Sequence, residues 1–398
     1  MSNFRNVTIN GRTFRVRAGD VLLDGALANG VDIPHDCRSG TCGTCMVHVT
    51  KGSTVCGETN TKGMVYACQT RVVTDLDIEV EELPEISETK ARLTAVRELA
   101  PGIVELEITP EKGIAYLPGQ YFRFTFNGFP SRAFSATAPL DGRLNRRTIH
   151  LHVKRVRNGR VTPCLGKTIR PGHRLRMQGP FGHAFLRAGG TGRLVLAGSG
   201  TGFAPIWIVA CMALRENRDR PIALIAGARN EAALYMKPAL AQLSPLPNVK
   251  VIAAIEDGPS PHPVVRVGKL DTHIPDLRPT DTVFACGSPR MVAEVARHAE
   301  IAGATFYADP FETAGVTEPD GFFRMLKTLL QARQPTQQVD EDEREDVQHK
   351  KGQYRAQSFR TKPVFDQRRS PPDIYPLREH LRSTRGEALR FGQPWMRK

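Results

Sequence analysis

Asp36-Cys37-Arg38-Ser39-Gly40-Thr41-Cys42-Gly43-Thr44-Cys45 places three thiols within nine residues, in the pattern C-x4-C-x2-C. The other five of the eight cysteines are scattered along the 398 residues, so the set does not read as a disulfide framework. A tight triple followed by a distant single points to metal. Zinc sites favour two pairs of closely spaced ligands, whereas this spacing suits a 2Fe-2S cluster. Two irons need four thiolates, so a fourth cysteine must come from further along the chain, and Cys56 and Cys68 compete for the place. Gly40 and Gly43 allow backbone N–H groups to turn toward the sulfurs, where they stabilise the more negative, reduced cluster.

The segment Val65-Tyr66-Ala67-Cys68-Gln69-Thr70-Arg71 resembles the returning strand of plant-type ferredoxins, in which the last ligand precedes a Gln and a β-rich run. The resemblance implies Cys37, Cys42, Cys45 and Cys68 as the metal ligands and leaves Cys56 a free thiol in a polar loop. Strand-like alternation at Val7–Ile9, Thr13–Val16, Met46–Val49 and Leu76–Val80 predicts a small β-grasp domain over residues 1–83.

The net charge of +14 is uneven. Residues 1–83 carry 8 Lys+Arg against 10 Asp+Glu, residues 84–311 carry 30 against 18, and residues 312–398 carry 17 against 13. No helix-turn-helix, zinc-finger or RNA-binding aromatic motif accompanies the basic middle, so nucleic acid is not expected as a partner. The first twenty residues lack an apolar core of the secretory type, and a cytoplasmic location is the expectation. Leu194–Leu214 is apolar and long enough to span a membrane, but Gly198, Gly200, Gly202 and Pro205 interrupt it. It reads as strand, glycine loop and helix, with no transmembrane segment.

Past the linker around Pro84, strand-like runs at Ala91–Val96, Ile103–Ile108, Tyr121–Phe126, Thr148–Val153 and Arg174–Met177 predict an antiparallel barrel over residues 88–188. Within it, Arg132-Ala133-Phe134-Ser135 resembles the R-x-Y-S motif of the ferredoxin-NADP reductase superfamily. Leu117–Tyr121, His152-Val153-Lys154, Gly159–Thr162 and Gly179–Gly182 continue the resemblance in order. It implies FAD, with Arg132 on the pyrophosphate, Phe134 stacked on the isoalloxazine and Ser135 bonded to flavin N5. His152 and Lys154 belong to the same cofactor site, and Val161 and Thr162 complete the pyrophosphate site at a helix start. Phe134 departs from the usual Tyr and loses a phenolic hydrogen bond while keeping the stacking face.

From Gly190 the pattern changes to strands alternating with helices, which predicts a parallel nucleotide-binding sheet over residues 190–311. Its first strand feeds Gly200-Thr201-Gly202-Phe203-Ala204-Pro205, similar to the superfamily's G-T-G-x-A-P pyrophosphate loop. Cys286-Gly287-Ser288-Pro289-Arg290-Met291 is similar to its C-G-x-P-x-M, whose cysteine lies beside the nicotinamide carbon that gives up hydride. An inert buried thiol is the other reading of Cys286. By the same resemblance Gly287 is part of the nicotinamide site, Phe311 covers the flavin and Asp309 lies near the hydride path. NADH is expected over NADPH: Arg229 is placed to meet a 2′-phosphate, but a single arginine at that turn also occurs in NADH-using relatives.

The whole is therefore a multidomain α+β chain: β-grasp ferredoxin, antiparallel FAD barrel, α/β NAD(P) domain and an extension. That order resembles the reductase components of bacterial multicomponent oxygenases, of the kind serving xylene monooxygenase and benzoate dioxygenase. The resemblance implies electron flow from NAD(P)H through FAD to the cluster and on to a terminal oxygenase or an intermediate ferredoxin. A 2Fe-2S carrier or redox-sensing module with a degenerate flavin domain is the alternative, and it predicts broken motifs. Residues 312–398 lie beyond the resemblance. One amphipathic helix is expected at Gly321–Leu330, followed by a largely disordered basic tail with aromatic residues among arginines, a candidate contact for an acidic partner or an anionic membrane surface.

Overall fold

The computed structural model describes residues 3–59, 63–143, 147–259 and 265–311; the helix and tail expected beyond Glu312 lie outside the described residues. The first module opens on a hairpin, β1 (Phe4–Ile9) and β2 (Arg12–Arg17), joined by Asn10-Gly11. Both turn residues have positive φ, 46° and 83°, as a two-residue primed turn requires. Helix α1 (Leu22–Ala28) follows, then β3 (Met46–Lys51), β4 (Thr54–Val55), β5 (Met64–Tyr66), β6 (Arg71–Val72) and β7 (Leu76–Glu79). The main sheet runs β2-β1-β7-β3-β5, with β1 and β7 parallel. Val7, Val16, Leu22, Leu23, Ile33, Val47 and Leu76 fill its core. The predicted strands are all present. Helix α1 is an addition, carried by Leu22, Leu23 and Ala26 on one buried stripe.

The second module contains β8 (Ser87–Ala100), β9 (Ile103–Pro110), β10 (Tyr121–Phe126), β11 (Arg132–Ser135), β12 (Ile149–Lys154) and β13 (Arg174–Phe181). They form a sheet in the order β11-β10-β13-β8-β9-β12. The bridge between Thr137 and His150 joins the two edges, so the sheet closes as the expected barrel. Strand alternation decides which way each residue of β10 faces. Phe122, Phe124 and Phe126 are fully buried in the barrel core, so Tyr121 and Arg123 share the opposite side. The motif Arg132–Ser135, not among the strands expected, is itself a strand, paired antiparallel with β10 so that Tyr121 stands opposite Ser135.

The third module is a parallel sheet in the order β17-β16-β15-β14-β18-β19. Its strands are β14 (Leu194–Ser199), β15 (Ile222–Ala228), β16 (Val249–Ile255), β17 (Val265–Val267), β18 (Thr282–Gly287) and β19 (Thr305–Pro310). Strands β14, β15 and β18 are almost continuously buried, as expected of a sheet covered on both faces. Helices α2 (Phe203–Glu216), α3 (Lys237–Leu243) and α4 (Pro289–Ala302) cover it. The chain order reverses between β14 and β18, and ligands of such sheets bind outside the carboxyl ends of the strands at that reversal. The apolar run Leu194–Leu214 is strand, glycine turn and helix, and no helix among the described residues is long and apolar enough to cross a membrane.

Candidate functional site

The cysteine loop is rolled by left-handed residues at Arg38 (φ 57°), Gly40 (φ 76°) and Gly43 (φ 70°). This curvature aims the amide N–H groups of Ser39 and Cys42 at Cys37 Sγ, each at 3.4 Å. Cys37 lies near enough to Cys42, and Cys45 to Cys68, for each thiol to shift the protonation of its neighbour. Gln69 Nε2 donates to Cys68 Sγ at 3.8 Å. Cys45 and Cys68 are buried, whereas Cys56 is exposed. Three thiols on an amide-lined loop, with Cys68 brought beside Cys45 from the segment after β5, are donors of the type that suits two irons with two thiolates each, and no three acidic, histidine or cysteine side chains among the described residues converge on a single metal position.

On the barrel, Arg132 is half-buried and makes no ion pair among the described residues; it bonds only the neighbouring carbonyl of Ser131, at 2.7 Å. Phe134 is half-buried, its ring 6.0 Å from that of Phe124. Ser135 is buried, and its hydroxyl donates to Asp309 Oδ2 at 2.8 Å, across 174 residues of sequence. Burial pushes the Asp309 carboxyl up to about 6, while the Ser135 hydroxyl bond acts in the opposite direction. Asp309 lies opposite Cys286 in the parallel register of β18 and β19. Cys286 is buried, and the loss of solvent together with the nearby Asp309 charge pushes its thiol well up, so it stands as a neutral SH.

The two nicotinamide motifs interlock. A Cβ on Gly202 would stand 2.1 Å from the Cys286 carbonyl oxygen and 2.5 Å from Gly287 Cα. Gly287, at φ 130°, packs as tightly on Ser199, whose Oγ accepts from the Ser288 amide at 3.3 Å. Above Gly200 there is open space, with nothing within 4 Å of its Cβ position. Thr201 is half-buried beside that opening, and Pro205 is buried in the first turn of α2. Phe311 is half-buried, and its amide is tied to the Gly287 carbonyl at 2.7 Å, on the same edge as Cys286.

His152 is buried and turned to Tyr235, with Nδ1 3.2 Å from the phenolic oxygen, and burial lowers the imidazole to about 4. Lys154, at the end of the same strand, is exposed. Val161 is fully buried, and Thr162 opens a single 3-10 turn (Thr162–Cys164), not a longer helix; its Oγ1 accepts from the Val156 amide at 3.0 Å. Arg229 is exposed and pairs with Asp257 at 3.4 Å.

Sequence reading missed a set of contacts between modules. Asp36 accepts from Tyr121 and Arg123 of β10, and Thr44 Oγ1 accepts from the Gly182 amide at 3.0 Å. Glu81 meets His183 Nε2 at 3.2 Å and Arg187 at 2.9 Å, and the Arg187 guanidinium lies 4.0 Å over the Tyr307 ring of β19. The order of charged and aromatic residues carries no signal for these pairs, because each joins separate modules.

Residues 7–73 match the 2Fe-2S iron-sulfur cluster binding domain, 97–185 the oxidoreductase FAD-binding domain and 196–297 the oxidoreductase NAD-binding domain. The reductase component of the naphthalene 1,2-dioxygenase system of Pseudomonas putida is 31% identical over 330 residues, 77% of this chain and 98% of its own length. The ferredoxin–NAD(+) reductase component of the alkene monooxygenase system of Xanthobacter autotrophicus is 30% identical over 326 residues, 76% of this chain and 98% of its own. Among solved structures, a cytochrome P450 reductase from Amycolatopsis superposes with a TM-score of 0.58 at 25% identity, covering 78% of this chain and all of that one.

Proposed function

The chain belongs to the ferredoxin–NAD(P)(+) reductase components of multicomponent oxygenase systems, and on that premise we propose which of its residues carry the electron transfer. It is an oxidoreductase with 2Fe-2S, FAD-binding and NAD-binding domains. Bound FAD would supply the conversion between two-electron hydride chemistry at the nicotinamide and one-electron transfer at a 2Fe-2S cluster.

Cys37, Cys42, Cys45 and Cys68 hold the cluster, a reading supported by the amides aimed at Cys37 Sγ, by the Gln69 contact to Cys68 Sγ, and by the exposure of Cys56 where Cys45 and Cys68 are buried. Arg132, a cation of the motif strand with no ion pair among the described residues, binds the FAD pyrophosphate, and Phe134 offers a stacking face. The open space above Gly200 and the start of α2 receive the nicotinamide pyrophosphate. Cys286, Gly287 and Phe311 line the nicotinamide end. The neutral Cys286 thiol adds no charge where hydride leaves, and Ser135 with Asp309 holds a polarised hydroxyl at the flavin edge.

The observation that carries this reading is the Ser135–Asp309 bond, which joins the flavin strand to the nicotinamide sheet directly opposite Cys286 in the β18–β19 register. NADH is the preferred donor, because Asp257 beside Arg229 opposes a 2′-phosphate. Electrons leave for an oxygenase or an intermediate ferredoxin. An acidic partner or membrane contact of the basic tail belongs to the same proposal. Anaerobic titration with NADH and with NADPH tests the scheme: flavin and cluster absorbance should bleach in turn, more readily with NADH. Protein that carries flavin yet bleaches with neither nicotinamide would refute it.

A further inference from the structure

The two ends of the cysteine loop sit on the flavin barrel. Before Cys37, the Asp36 carboxylate takes three hydrogen bonds from β10: Tyr121 Oη at 2.6 Å, Arg123 Nε at 2.7 Å and Arg123 Nη2 at 3.0 Å. Its side chain is only 10% exposed. Between Cys42 and Cys45, Thr44 Oγ1 accepts from the Gly182 amide, and a Cβ on Gly43 would stand 3.3 Å from His183 Cβ.

Tyr121 faces both ways in this arrangement. Its ring packs on Phe181 with centroids 5.6 Å apart, it stands opposite Ser135 in the β10–β11 register, and its hydroxyl reaches the carboxylate adjoining Cys37. Tyr121 and Arg123 share a side of β10 because Phe122 and Phe124 occupy the barrel core. A bidentate guanidinium–carboxylate pair fixes orientation as well as distance, which a single contact does not.

We propose that Asp36, Tyr121 and Arg123 form a clamp that positions the cluster loop against the flavin strand for electron delivery, a role additional to cluster or flavin binding. The inference rests on the reading of Cys37–Cys68 as cluster ligands and Ser135 as a flavin residue. Delivery from flavin to cluster moves one electron at a time and makes or breaks no bond in the clamp. The flavin loses the electron that the cluster gains, and Asp36, Tyr121 and Arg123 are positioning residues throughout. General adhesion between modules would not require the contact to sit on the residue adjoining a ligand and opposite the flavin serine.

The test uses the full chain carrying both cofactors. In Arg123→Glu, anaerobic stopped-flow with NADH should show flavin bleaching within about twofold of wild type, since no group at the nicotinamide edge has changed, and cluster bleaching slowed tenfold or more. The cluster reduction potential should be unchanged. Endoproteinase Glu-C should cut the linker after Glu82 or Glu85 several-fold faster. Asp36→Asn, which keeps the shape and loses the charge, should give a smaller loss of the same kind and serves if the reversal misfolds. Exchanging the partners, Asp36→Arg with Arg123→Asp, should restore most of the cluster rate. Wild-type cluster bleaching in both single variants would overturn the clamp. So would slowed bleaching with unchanged linker cleavage and no recovery in the exchange. If wild-type flavin is not reduced by NADH or NADPH, the functional reading fails instead, and the two failures are distinguishable.

Discussion

Replacing Asp309 by Asn removes a titrating group from beside Ser135 while keeping an acceptor for its hydroxyl. The carboxyl is pushed up from 3.8 to about 6 because burial disfavours its charge more than the Ser135 bond favours it. A folded state that binds a proton more tightly than the unfolded chain is penalised as pH rises. The penalty is absent below 3.8, grows between 3.8 and 6 and is complete above that range. Two pH units of separation correspond to about 3 kcal/mol at most, and partial exposure of the residue reduces this to about 2 kcal/mol. About half of the penalty is already present at pH 5. Asp309→Asn should therefore stabilise the nicotinamide domain by about 2 kcal/mol at pH 7.5 and by about 1 kcal/mol at pH 5. Urea unfolding followed through Trp207, buried on α2 against Phe203, reads the cooperative unit that contains Asp309. The wild-type rate of flavin reduction should also show an inflection near pH 6 that the variant lacks. A variant whose gain is the same at both pH values, or that is uniformly less stable, would refute the assignment of a carboxyl raised by desolvation.

Cys68→Ser should abolish the cluster, seen as loss of iron and of cluster absorbance, whereas Cys56→Ser should retain both; the reverse would move the fourth ligand. Gly202→Ala drives a methyl into the backbone of Cys286 and Gly287, which has no flexible side chain to yield. It should cost about 1–3 kcal/mol of stability and weaken nicotinamide binding at least in step, measured by unfolding and by the KM for NADH. Asp257→Ser should raise the NADPH to NADH ratio of kcat/KM about fivefold, the effect of removing roughly 1 kcal/mol of charge repulsion in solvent. An unchanged ratio would separate Asp257 from coenzyme choice.

The cluster loop, the glycine turn after β14 and the Cys286 turn were legible because each compresses its chemistry into fewer than a dozen residues. Alternation was equally direct: Phe122, Phe124 and Phe126 announce the strand and its core face. Strand β11 was not legible as a strand, since Arg132–Ser135 is four residues long and follows Pro130. Helix α1 is seven residues with no side-chain cap and escaped notice for the same reason of length. His152 reads as a cofactor residue in its motif, but its direction is set by Tyr235, 83 residues later. Asp36 stands at the head of the quoted stretch, yet its partners on β10 lie beyond the reach of any local pattern, as does the carboxylate that Ser135 meets.

Thr137 occupies the seam where the barrel closes. Its amide donates to the His150 carbonyl at 2.9 Å, and its hydroxyl donates to the Ala204 carbonyl at 2.7 Å in the first turn of α2. One residue thus serves as the barrel's last stitch and as the mooring for the helix that follows the pyrophosphate loop. A swing of the nicotinamide domain away from the barrel would have to unpick that seam. The two domains are therefore expected to melt together, and coenzyme to exchange through the open rim above Gly200 while the seam stays shut.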